Sequence, residues 1–328
     1  MRWRTKVSFR FINRLKCIDM KGAIICSYKI EGGGNQSGKK LAEIMDYDFV
    51  NLHTDEWKEC KAKKQIWYMN DDIYKLQDKS REQLDFFNVL KHGEDIKIVL
   101  NFVMANTWKD DWILDHNVSK IIFLNKGRVQ EWNKKTANTR HNLIDVECIL
   151  PPINLERFEK VDRQDCDVVR IGRHSRISLK FPDNPCLMYR ELNLPYRSFD
   201  FMLAHKEIEE EFKDHNNFTF YKWNEIKVEK FLENIDIYLA ILNKKTKEQG
   251  GRSNMEAMAS GCCVIVEDRD GMQDYIKHGE TGFLVKSEDE AVEIINNLDR
   301  GEIKRIGENA RKYAFKNFKT NNWIKSLS

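Results

Sequence analysis

Short apolar runs recur along the chain, each bounded by polar or glycine-rich stretches, and they alternate with segments of helical period. In the amino-terminal half, Ala23 to Tyr28, Phe49 to His53, Ile96 to Val103 and Lys120 to Leu124 predict buried strands, with a long amphipathic helical stretch at Asp71 to Leu90. In the other half, Cys166 to Ile171, Phe199 to Leu203, Phe218 to Tyr221, Ile235 to Leu242 and Cys262 to Val266 predict strands. Helices are expected near Asn184 to Leu192, after Trp223, from Ser253, at Glu288 to Leu298 and within Arg305 to Leu327. Strands alternating with helices define an α/β protein whose parallel sheets are covered on both faces.

Two glycine turns interrupt this pattern. The first is EQGGRSNMEAMASG, Glu248 to Gly261, between two predicted strands. Gly250 and Gly251 allow backbone conformations that a Cβ forbids. Ser253 and Glu256 have capping-box spacing, which predicts a helix start at Ser253. A helix N-terminus behind a glycine turn attracts anions. Carboxylates beside an anion are repelled unless they face hydroxyls, for which they are good acceptors. Glu248 and Glu256 frame this turn, and a nucleotide sugar meets both demands. The second turn is EGGGNQSGKK after the first strand, where Gly33 to Lys39 fits the phosphate-loop pattern G-x4-G-K. A nucleoside triphosphatase is therefore an alternative. Against it, Lys40 stands where Ser or Thr holds magnesium, and Ile121 to Leu124 runs into Asn125 instead of an aspartate.

Composition narrows the class. With 328 residues the chain is long enough for two domains of ~150 residues. Apolar residues make up 41% and charged ones 33%, a globular balance, and no apolar run nears the ~20 residues that cross a bilayer. A net charge of +3 does not demand a polyanionic partner. The eight cysteines form no C-x-x-C pair, and Cys26, Cys148, Cys262 and Cys263 fall in apolar runs, so free thiols in a reducing cytoplasm are expected. Neither a histidine pair at zinc spacing nor a G-x-S-x-G elbow occurs. Asp268 and Asp270 spell D-x-D, read as a loop because too little chain follows for the metal-binding fold that uses it. Residues 1–19 are basic, with Trp3, Val7, Phe11, Leu15 and Ile18 at helical spacing suited to an anionic membrane surface. Val7, Phe9 and Phe11 also alternate, so a strand-like or disordered extension is the alternative.

The E-x7-E pattern running into EAMASG, the apolar strand after it, DGMQDYI and HGETGFLV resemble the carboxyl-terminal half of family 4 retaining glycosyltransferases, the glycosyl transferases group 1. The likeness spans about Val168 to Trp323. It implies a GT-B fold: two Rossmann-like parallel-sheet domains facing a cleft, with a C-terminal helix returning to the first. ILPPINLERF, Ile149 to Phe158, resembles the interdomain crossover. The expected division is a basic extension over 1–19, an acceptor-side domain over 20–161, a nucleotide-sugar domain over 162–305 and a returning helical segment over 306–328.

The resemblance further implies retaining transfer of a sugar from a nucleoside diphosphate to an acceptor hydroxyl, on a glycan or lipid-linked saccharide. DNA carrying hydroxylated bases is an alternative acceptor, and a non-catalytic nucleotide-sugar-binding scaffold an alternative class. In the family's roles, Glu248 meets the sugar hydroxyls beside the reacting carbon and Glu256 the ribose. Arg173 and Lys180 flank the pyrophosphate, with Arg176 competing for the second place. Gly250, Gly251, Arg252 and Ser253 line the donor turn, Gly33 and Gly34 the glycine turn facing the donor phosphates, and Trp223 lies near the base. No metal or cofactor beyond the donor substrate is expected. Members often carry a histidine after the strand matching Ile96 to Val103; this chain reads MANTW there, which leaves Asn101 or Asn106 for a polar role.

Overall fold

The computed structural model describes residues 21–27, 33–52, 60–69, 89–100, 113–161, 163, 166–175, 180–245 and 251–327. The segments 1–19 and 71–88 of the sequence reading lie outside them. Six strands form the first sheet: β1 (Ala23–Cys26), β2 (Asp48–Asn51), β3 (Lys64–Met69), β4 (Asp95–Leu100), β5 (Val118–Phe123) and β6 (Asp145–Cys148), in the order β2-β1-β3-β4-β5-β6. The second holds β7 (Val169–His174), β8 (Arg197–Met202), β9 (Phe218–Tyr221), β10 (Ile237–Ala240), β11 (Cys263–Glu267) and β12 (Phe283–Val285), in the order β12-β11-β10-β7-β8-β9. Every pairing between these strands is parallel.

Parallel strands need covered faces, and the burial pattern shows both faces filled. Along β10, Ile237 and Leu239 enter one apolar cluster while Tyr238 and Ala240 enter the other. Each fully buried side chain of this size contributes about 1.5–3 kcal/mol. The helices are α1 (Gly33–Met45), α2 (Lys126–Thr136), α3 (Pro185–Leu192), α4 (Lys206–Phe212), α5 (Val228–Glu233), α6 (Arg252–Ala259), α7 (Glu288–Asn297), α8 (Arg300–Asn317) and α9 (Thr320–Leu327). Periodicity did not signal β3, β6, β12, α2 or α4; the edge strands β6 and β12 have four and three residues, too few for a period to show.

The expected boundary at 305 falls inside α8, which packs on the second domain. A Cβ on Gly307 would lie 2.2 Å from the Gly261 carbonyl oxygen. The chain returns to the first domain only with α9. There Trp323 is buried beside Tyr68 and donates from Nε1 to the Leu150 carbonyl at 2.7 Å, and Lys97 donates to the Leu327 carbonyl at 2.8 Å. Among the described residues no helix is long and apolar enough to cross a membrane.

In each sheet the strand order reverses at one place, between β1 and β3 in the first and between β7 and β10 in the second. Loops leaving the carboxyl ends of such strands diverge to opposite faces and open a crevice, where ligands of open α/β sheets bind.

Candidate functional site

At the second sheet's crevice the chain comes out of β10 and re-enters the described structure at Gly251. Gly251 is left-handed (φ 47°, ψ 47°), and a Cβ there would lie 2.2 Å from the Tyr275 hydroxyl. Glycine is thus required twice, by conformation and by space. Helix α6 starts at Arg252, one residue before the expected start, and the capping box does not form: the N-cap is Gly251, without a side-chain cap. Ser253 instead hydrogen-bonds the Tyr238 hydroxyl, which donates to the His174 carbonyl at 3.0 Å. Burial pushes the Tyr238 phenol up to about 12, against the charge of Arg173 and these hydrogen bonds. The first intrahelical bonds run from the Asn254 and Met255 amides to the Gly251 carbonyl, so the Arg252 and Ser253 amides precede them at the positive end of the helix. At its other end Gly261 (φ 80°) closes α6 in a Schellman motif, with Gly261 N–H donating to Met258 and Cys262 N–H to Ala257.

Glu256, 8% exposed, lies on this helix between the side chains of His174 and Arg252. Its Oε2 is 3.2 Å from His174 Nε2 and its Oε1 accepts from Arg252 Nε at 3.3 Å. Burial pushes the carboxyl up, but the His174 hydrogen bond and the charges of Arg252, His174 and Arg157 outweigh it and hold Glu256 below the usual carboxylate range. His174 ends β7, edge-on to Tyr238 and Phe231; among the described residues its buried Nδ1 has no partner. Arg252 also reaches the first domain, donating from Nη1 to Ser37 Oγ of α1 at 3.1 Å.

Arg173 lies near the end of β7. Its guanidinium is buried in the second domain, over the Phe181 ring at 4.2 Å, donating to the Ile241 carbonyl at 2.6 Å and the Lys180 carbonyl at 2.9 Å. In that position it ties the end of β7 to the end of β10, and Lys180 contributes its backbone oxygen. Trp223 is half-buried, packed on the cluster that includes Phe231 and Tyr238. Glu248, Gly250, Arg176, Asn101 and Asn106 lie outside the described residues.

The glycine turn at Gly33 and Gly34 is the first turn of α1. A phosphate loop needs these residues free to wrap the phosphates. Here Gly33 to Lys39 are wound into helix, Lys39 sits over the Phe49 ring and Lys40 pairs with Glu43 at 3.3 Å, so the triphosphatase reading is set aside. Of the D-x-D residues, Asp270 sits near Arg269, which also faces Glu267. Nearby a second contact joins the domains: the Lys126 amide at the start of α2 donates to Asp274 Oδ2 at 2.7 Å, and Gly271 packs on Asn125. His174, Ser37 and Asp274 carried no local signal; the i, i+4 spacing of Arg252 and Glu256 did.

Comparison with known proteins fits this geometry. Residues 202–313 match the family model of glycosyl transferases group 1. The Anabaena protein Alr3699/HepE, solved with UDP, superposes with a TM-score of 0.71 at 14% identity, over 94% of this chain and 98% of that one. The lipopolysaccharide outer core galactosyltransferase WaaB aligns with a TM-score of 0.62 at 15% identity, over 94% and 99%. A glycosyltransferase from Rickettsia africae gives 0.63 at 13%, over 93% and 96%. No curated protein matches by sequence. The fold and its paired crevices define the class: a two-domain GT-B protein. Its second domain carries the sequence pattern of glycosyl transferases group 1.

Proposed function

We propose that this protein transfers a sugar from a nucleoside diphosphate sugar to an acceptor hydroxyl of a glycan or lipid-linked saccharide, with retention at the anomeric carbon and without a metal. The observation that carries the reading is the start of α6. A left-handed glycine, two leading amides and an ionised, buried carboxylate stand together at the switch point of a domain with the group 1 pattern.

In this reading the α6 amides and helix dipole meet the donor's diphosphate, and Glu256 accepts hydrogen bonds from the ribose hydroxyls. Glu248, eight positions earlier, serves the sugar. As the anomeric bond breaks, charge grows on the leaving diphosphate, and fixed dipoles aimed there favour the transition state over the bound donor. The buried Arg173 holds the two strand ends that frame the site and adds positive charge behind it; Lys180 stands at the same edge. The departing phosphate oxygen takes the acceptor's proton, so no side-chain base is required. HepE was solved with UDP and with UDP-glucose, which makes these the first probes for this chain.

The test is thermal stabilisation by a panel of nucleoside diphosphate sugars, with and without chelator. At a hundredfold excess over its dissociation constant, a donor stabilises by about 2.7 kcal/mol. Selective stabilisation by one sugar nucleotide, unaffected by chelator, is expected. Stabilisation by none of them overturns the reading.

A further inference from the structure

Five side chains form a polar chain from the core of the first domain to the donor carboxylate of the second. Tyr68, on β3 and fully buried against Trp323, hydrogen-bonds Ser37 on α1. Ser37 accepts from Arg252 Nη1, Arg252 Nε donates to Glu256, and Glu256 meets His174. Each link is enclosed: Tyr68, Ser37, Glu256 and His174 are all buried, and Arg252 is partly so. Arg252 is the one link that touches both domains. Its guanidinium is rigid and planar, so a hydrogen bond at Nη1 constrains what Nε presents to Glu256.

We propose that Arg252 is an interdomain positioning residue: through Ser37 and Tyr68 it makes the orientation of the Glu256 carboxylate depend on docking of the first domain. This rests on the reading of Glu256 as the ribose-binding group. With the domains docked, Arg252 takes one carboxylate oxygen and His174 the other, which leaves lone pairs on both oxygens for the two ribose hydroxyls. Without Ser37, Arg252 loses the Nη1 hydrogen bond that ties it to α1, and with it the constraint this bond places on Nε and on the aim of the carboxylate.

The experiment uses the full chain as wild type, Ser37→Ala, Arg252→Lys and the double variant, with UDP and 2′,3′-dideoxy-UDP as probes in calorimetry. Wild type binds the dideoxy nucleotide roughly tenfold more weakly, the loss expected for hydrogen bonds to a charged group. Ser37→Ala and Arg252→Lys weaken UDP by roughly the same factor and lose little more on removal of the hydroxyls. The double variant is no worse than the poorer single one, because all act through one interaction. Equal losses for both nucleotides in Ser37→Ala, or single effects that multiply, overturn the proposal. If wild type binds neither nucleotide, the donor reading itself fails, and hydrogen exchange of the nucleotide-free protein decides the coupling. Faster exchange of α6 amides in Ser37→Ala, a change in the other domain, upholds it; unchanged α6 exchange overturns it.

Discussion

A buried charge is tolerated only with partners, and Glu256 has two. Removing one partner of such a pair leaves an uncompensated charge. That explains why an acid can remain ionised at 8% exposure beside the positive end of a helix, ready for hydroxyls instead of protons. Asp200 shows the opposite balance. It lies on β8, and burial raises it to about 6, helped by Asp236 and opposed by the Arg170 charge and a Thr219 hydrogen bond. Because the folded value lies above the unfolded one, Asp200 binds its proton more tightly in the native state. Its contribution to stability is complete below about pH 3.8 and is lost as pH rises through 6. Asp200→Asn, which cannot ionise, is expected to be more stable than wild type above pH 6 by up to about 3 kcal/mol, with the gap closing towards pH 4. Urea unfolding at several pH values measures this, and a gap independent of pH contradicts it. In sequence the carboxylate Glu256 was legible as a site residue, but its partner His174 is 82 positions away and Ser37 is 215 positions from Arg252. No local pattern signals contacts of that separation.

At the scale of elements, the donor helix is held from behind. Helix α8 crosses the Schellman turn that ends α6 so closely that Gly307 and Gly261 meet backbone to backbone. Gly307→Ala places a methyl 2.2 Å from a carbonyl oxygen, which forces α8 away. Overpacking of this kind costs about 1–3 kcal/mol, more than the helix propensity gained from alanine restores. Denaturant unfolding of the variant reads the loss; a stabilised variant shows that α8 yields freely. The expectation that α6 starts with a capping box failed for a related reason. Ser253 and Glu256 have the right spacing, but Tyr238 and His174 on neighbouring strands claim those side chains. Spacing alone cannot tell a cap from a pair of tertiary contacts.

At the scale of the whole molecule, the contacts between the two domains among the described residues include Arg252 with Ser37, Asp274 with the start of α2, and the return of α9. Trp323→Ala removes a fully buried side chain of α9, a change that costs about 3–5 kcal/mol where the site cannot collapse. It is expected to speed hydrogen exchange in β1 and β3, which pack beside Trp323, while β10 and β11 keep wild-type protection; uniform change in both sheets shows that the domains unfold as one. The sequence by itself determined the class of protein. Apolar runs of strand length, glycines where the backbone must turn and two carboxylates framing a helix start are local features, encoded within a dozen residues of one another. The tertiary structure alone decided the rest: the strand order that opens each crevice, the turn of Arg173 towards carbonyls, the winding of Gly33 to Lys39 into helix, and the partners that fix Glu256. These depend on which distant segments pack together, and packing free energy is a property of the folded whole that no single stretch of chain carries.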